Sequence, residues 1–198
     1  SARFATLSQY KADLASVVSS IDRPPVVVGH SMGGLITQRL IADTTVAGAV
    51  LLASVNHRGP WGVTVSTATQ HPWLFAKSSA TLSLGPLVST NEQVRDMFFT
   101  ADTPEELVAW TGERLMAESY VAYLDMFLGA SPKKASGVPI LVLGGEKDAI
   151  FPPSVVRKTA KAYGVEPEFF PGIGHDMMLD TGWEAVATRI GEWVRGLH

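Results

Sequence analysis

Ser31 lies in the run Val26-Val27-Val28-Gly29-His30-Ser31-Met32-Gly33-Gly34, which a helical pattern from Leu35 to Ala42 follows at once. A β-branched run, glycines two residues either side of a serine and an amphipathic segment describe a strand, a tight turn and a helix. Nucleophilic chemistry needs that arrangement. The serine is expected on a strained turn with its hydroxyl proud of the sheet, and Gly29 and Gly33 are expected to remove side chains that would strike neighbouring backbone. The helix start aims N–H groups and the positive end of its dipole at the place where an oxyanion would form. A bare Gly-x-Ser-x-Gly also fits a glycine-rich helix N-terminus; the strand before it and the helix after it favour the nucleophile.

A serine hydroxyl is a weak nucleophile until a base takes its proton, and that base is a histidine oriented by a carboxylate. Two later loops offer both groups: Gly144-Gly145-Glu146-Lys147-Asp148 after a third strand, and Gly172-Ile173-Gly174-His175-Asp176 after a fourth. Both loops, like Ser31, fall at carboxyl ends of strands expected to be parallel, so the three side chains can converge on one edge of a sheet.

Those three motifs, in the order Ser31, Asp148, His175, resemble the α/β-hydrolase superfamily, specifically its lid-bearing serine esterases and lysophospholipase-like hydrolases. The resemblance runs from Leu14 almost to the end of the chain. It implies Ser31 as nucleophile, His175 as general base and then acid, Asp148 as orienting acid, and the Met32 backbone N–H as one oxyanion donor. Glu146 is the alternative acid, but Asp148 occupies the family's position. Asp176 is read as a surface or loop-fixing residue. His30 is read as packed behind the serine or touching substrate, His57 and His71 as polar loop residues, and His198 as part of the tail. No His, Asp or Glu spacing suggests a metal, and the glycines around Ser31 lack the Lys-Ser/Thr ending of a phosphate loop. No cofactor is expected.

The elements that must position these groups follow from periodicity. Phe4 to Ser20 has a helical rhythm that Asp22-Arg23-Pro24-Pro25 ends. Val46 to Ala53 and Val138 to Leu143 are continuous apolar runs, the habit of strands buried on both faces of a parallel sheet. Pro153 to Tyr163 reads as helix, Glu166 to Phe170 as a short strand, and Gly182 to Leu197 as a closing amphipathic helix. The predicted fold is α/β, a doubly wound, mostly parallel sheet forming a truncated α/β-hydrolase core over residues 1–55 and 138–198. Residues 56–137 interrupt it as a helical lid dense in aromatics and methionines, with Thr103 capping a helix and Pro104 in its first turn. Such a lid would shape an apolar pocket, for which His30, Trp61, Trp73, Phe127 and Ile150 are the substrate-binding candidates.

Composition narrows the function classes. With 198 residues, 46% hydrophobic, and a formal net charge of −3, the chain has material for one domain and no basic stripe for nucleic acid. It has no cysteine, which suits a reduced, cytoplasmic setting, and no apolar run that would span a bilayer. Ser1 is expected to mark an artificial boundary, a processing site or the start of a fragment.

The resemblance is incomplete before Val26. Family members place several strands and an oxyanion loop there, whereas this chain has a single helix in residues 1–25. Loss of one oxyanion donor typically costs roughly 2.7 to 4 kcal/mol of transition-state stabilisation. The Val26 strand would also be an exposed apolar edge. A homodimer pairing two such strands, a separate chain carrying the missing half, or a shortened hydrolase each answers this. The expected activity is hydrolysis of small to medium apolar acyl or aromatic esters, with other α/β-hydrolase chemistry (C–C hydrolase, lactonase, perhydrolase) or a hydrophobic-ligand-binding module as alternatives.

Overall fold

The structure, a computed structural model, describes residues 4–116, 118–132 and 137–197. The apolar runs become four parallel strands, β1 (Val26–His30), β2 (Gly48–Leu52), β3 (Ile140–Gly145) and β4 (Pro167–Phe170), lying side by side in chain order. Register places Val28 beside Val50 and Val50 beside Leu141. Along the chain the helices are α1 (Leu7–Ser19), α2 (Met32–Leu40), α3 (Trp61–Gln70), α4 (Pro72–Thr81), α5 (Asn91–Phe98), α6 (Glu105–Gly112), α7 (Tyr120–Asp125), α8 (Pro153–Tyr163) and α9 (Trp183–Arg195). Short 3-10 turns at Gly85–Val88 and Met126–Leu128 complete the section between β2 and β3.

Alternation along each strand divides the core into two layers. Val50, Leu52, Leu141 and Leu143 face Val186, Ile190 and Trp193 of α9. The intervening Ala49, Leu51 and Val142 face α1, α2 and α8 through Val18, Leu40, Val156 and Ala160. Every residue of β2 is buried, as a central parallel strand covered on both sides must be. β1 is one edge of the sheet; on its α9 face Val26 packs against that cluster while Val28 stays 49% exposed.

Two helix starts differ from the sequence reading. α1 opens at Leu7 rather than Phe4, since Thr6 and Gln9 form a reciprocal capping box that satisfies the first-turn N–H groups. At α6 the cap is Pro104, with no side-chain capping bond, and Thr103 is not the cap. Its hydroxyl is instead buried against Asp180, a stronger acceptor than the helix end can offer.

Leu51, fully buried against Val156 and Ala160 of α8, provides a test of this packing. Leu51→Ala is expected to lower the unfolding free energy by about 2–5 kcal/mol in urea titrations, and Val28→Ala by clearly less.

Candidate active site

β1 ends at His30 and α2 begins at Met32, so the whole turn is carried by one residue. Ser31 adopts φ 52° and ψ −120°, a strained conformation for a side chain with a Cβ. It is held there by three backbone bonds: its N–H donates to Leu52 O, and its carbonyl accepts from Gly34 N and Val55 N. The glycine requirement differs from the sequence reading. A Cβ on Gly29 would lie 2.3 Å from Thr37 Oγ1, and one on Gly34 would lie 2.2 Å from Ser54 Oγ, whereas a Cβ on Gly33 would meet nothing within 4 Å. The close approach is therefore at Gly29 and Gly34, where α2 lies against β1 and the loop after β2. Met32 N–H, the first of α2, lies outside the intrahelical ladder and is available to an external acceptor.

The other two loops arrive at the same edge. His175 Nε2 stands 3.0 Å from Ser31 Oγ, and His175 Nδ1 stands 2.9 Å from Asp148 Oδ2. The second carboxylate oxygen, Asp148 Oδ1, accepts from Ile150 N and Phe151 N, both at 2.8 Å. Asp148 is therefore aimed by its own loop, while Glu146 on that loop is exposed. His175 and Asp148 are both buried, and the Phe151 ring packs edge-on against the imidazole at 5.4 Å. A hydroxyl, an imidazole and a carboxylate in this series can move a proton off the hydroxyl and hold the resulting imidazolium.

Supports that the sequence did not signal hold the His175 loop. Asp180 is fully buried; its Oδ2 accepts from Gly174 N at 2.7 Å, and its Oδ1 accepts from Thr181 N and the Thr103 hydroxyl. Asp176 N donates to Phe98 O at 2.9 Å, and a Cβ on Gly174 would press to 2.9 Å from that same oxygen. The chain around α5 and α6 is thus fastened to the loop that carries His175. Asp180 lies just ahead of α9, and its reach back to Gly174 follows only from the fold.

His30 and Asp176 lie beside the imidazole. His30 Nε2–H donates to His175 O at 3.0 Å, and the two rings are 4.7 Å apart. Burial, reinforced by the neighbouring His175, pushes His30 down to about 3, so it is neutral at ordinary pH. Asp176 is not a surface residue: the turn after His175 folds it inward, and its Oδ1 comes within 3.9 Å of His30 Nε2. Burial, with the charges of Asp148 and Asp180 adding and His175 opposing, pushes its carboxyl up to about 6. His30, His175 and Asp176 each offer a donor atom within 4.8 Å of the others. Spacing along the chain cannot reveal this cluster, because His30 comes from β1 and the other two from the loop after β4.

The remaining candidates are spread more widely. Ile150 is half-buried and supports Asp148 through its N–H. Trp61 stacks edge-on with Phe127 at 4.6 Å, and it lines a cavity of about 400 Å³ with Arg58, Lys158, Val155 and Phe151. Phe151 is the wall between that cavity and His175. Trp73, on α4, is 77% exposed and does not line it. His57 is half-buried, with its carbonyl accepting from Ala130 N, and His71 is exposed. His198 lies outside the described residues.

The profile of the alpha/beta hydrolase family matches residues 2–189, and the chain belongs to that family. Solved structures similar to it include a proposed non-heme bromoperoxidase, BpoC, from Mycobacterium tuberculosis H37Rv. That match has 22% identity and a TM-score of 0.76, covering 98% of this chain and 75% of that one. A thermophilic esterase from Thermogutta terrifontis matches at 20% identity, TM-score 0.70, with 98% and 74% covered. A monoacylglycerol lipase from Paleococcus ferrophilus matches at 19% identity, TM-score 0.65, with 98% and 77% covered. At these identities the likeness establishes the fold. No curated protein sequence matches the chain. Among the described residues no helix is long and apolar enough to cross a membrane.

The Asp176 environment predicts a pH-dependent cost. Below its ordinary value of 3.8 the carboxyl is protonated folded or unfolded and costs nothing; above about 6 it must ionise in a buried setting. Stability is therefore lost as pH rises through that window. In the presence of EDTA, Asp176→Asn is expected to gain on the order of 2–3 kcal/mol relative to wild type between pH 4 and pH 7, read from urea titrations at each pH.

Proposed function

We propose that this chain is a serine hydrolase that cleaves carboxylic esters through an acyl-enzyme on Ser31. The observation that carries the reading is the unbroken series Ser31 Oγ, His175 Nε2, His175 Nδ1, Asp148 Oδ2, with contacts of 3.0 and 2.9 Å. Family membership supports hydrolysis in general, and the esterase and lipase neighbours agree with ester substrates without specifying one.

In this mechanism Ser31 Oγ attacks the acyl carbon while its proton passes to His175 Nε2. Asp148, receiving the Nδ1–H, stabilises the imidazolium. The carbonyl oxygen becomes an oxyanion near Met32 N–H, at the positive end of α2. Collapse of the tetrahedral species breaks the bond to the leaving oxygen, which takes the proton from His175. Water then attacks the acyl-enzyme by the same relay and releases the carboxylic acid, regenerating Ser31. Residues 56–137 serve as the lid over this edge, and Trp61 and Val63, which line the cavity beside Phe151, favour small to medium apolar acyl or aromatic esters.

Turnover of p-nitrophenyl butyrate and labelling by a fluorophosphonate test the assignment together. The wild type is expected to turn over the ester and to carry one phosphonyl group on Ser31. Ser31→Ala is expected to lose both, with turnover down about a thousandfold or more. Undiminished turnover in Ser31→Ala would overturn it.

A further inference from the structure

The mechanism above leaves two side chains at its centre without a chemical task. His30 and Asp176 neither contact Ser31 nor orient His175 through its ring nitrogens, yet both crowd the imidazole. Among the described residues Asp176 has no lysine or arginine partner; a carboxyl beside two imidazoles is what remains.

We propose that His30, Asp176 and His175 form a site for a divalent transition-metal ion of the zinc type, and that binding takes the His175 ring out of the relay between Ser31 and Asp148. The effect on His175 as a base rests on the proposed function; the metal site itself does not.

The donor set argues for that class of ion. Two imidazoles and one carboxylate suit zinc, cobalt, nickel or iron, whereas calcium and magnesium prefer oxygen donors throughout. Three protein donors leave a fourth position for water, the pattern of an open zinc site. The donors lie within 4.8 Å of one another, and bonds of about 2.0–2.2 Å to a tetrahedral ion would bring them about 3.3 Å apart. Side-chain rotation of His30 and Asp176 supplies that closure. Access is present, since the His30 and Asp176 side chains remain 24% and 13% exposed.

The surroundings already have the form that supports a metal ligand. A ligating histidine generally donates its other ring N–H to a carboxylate, which fixes its tautomer, and His175 Nδ1 already faces buried Asp148 Oδ2 at 2.9 Å. Ligation through His30 Nε2 replaces the bond that this nitrogen now donates to His175 O. The proton balance is simple. The ion displaces the Asp176 proton when one is bound, ligation through His30 Nε2 moves that ring's proton to Nδ1, and no electron is transferred. Once His175 ligates the ion, its ring can no longer bridge Ser31 and Asp148 to carry the Ser31 proton.

Titration of metal-free protein with cobalt(II), followed by visible absorption, tests the site without requiring activity. The wild type is expected to bind one ion per chain with the intense band of four-coordinate cobalt, which zinc(II) displaces. Asp176→Asn and His30→Phe, each shown to be folded by circular dichroism, are expected to weaken binding tenfold or more, while Ser31→Ala binds within twofold of wild type. Saturating cobalt is expected to slow fluorophosphonate labelling of the wild type at least tenfold, with EDTA restoring it. Absence of the band, or equal affinity in wild type, His30→Phe and Asp176→Asn, would overturn the site. Labelling unaffected by saturating cobalt would overturn the involvement of His175. Cobalt binding that depends on His30 and Asp176 in a protein that never labels would uphold the site and reject the hydrolase reading.

Discussion

His175 is buried with a different partner on each ring nitrogen, and that double tie sets the demands on everything around it. An imidazole can accept from a hydroxyl at one nitrogen only if the other holds the proton, and the proton stays at Nδ1 because the Asp148 carboxylate faces it. Asp148 can do this only while its own oxygens are fixed, which the N–H groups of Ile150 and Phe151 accomplish. Two contacts of about 3 Å thus depend on three loops, with His175 lying 27 residues of chain from Asp148 and 144 from Ser31.

The sheet supplies the common origin of those loops. In a parallel arrangement β1, β3 and β4 all end at one edge, so Ser31, Asp148 and His175 are delivered there by topology before any side-chain contact forms. Fine placement comes from a second set of ties. Asp180 anchors Gly174, Thr103 joins Asp180 to the chain ahead of α6, and Phe98 O receives Asp176 N. Because Asp180 is buried, each donor removed from it would leave a polar group without compensation, so the loop has little freedom to drift.

Much of this was legible in the sequence because it depends on local pattern. Strands β1, β2 and β3 are apolar runs that no amphipathic helix would contain, and the Gly-His-Ser-Met-Gly-Gly turn marks its own geometry. Chain order then pointed to Asp148 and His175. What stayed hidden depends on distance in space. Asp176 reads as a surface or loop-fixing residue, with nothing in the sequence to place its carboxyl against His30, and Thr103 reads as a cap until Asp180 is seen beside it. Gly33 reads as the sterically required glycine, yet the tight contact with Ser54 falls on Gly34, because the loop after β2 passes there. Neighbours from distant strands leave no periodic trace.

The most direct test is the protonation of the His175 ring, read by nitrogen-15 and proton NMR of the metal-free protein near neutral pH. The structure predicts a strongly downfield Nδ1–H held by Asp148 and an unprotonated Nε2 free to accept from Ser31. A ring protonated at Nε2, or one whose protons exchange freely with water, would contradict it.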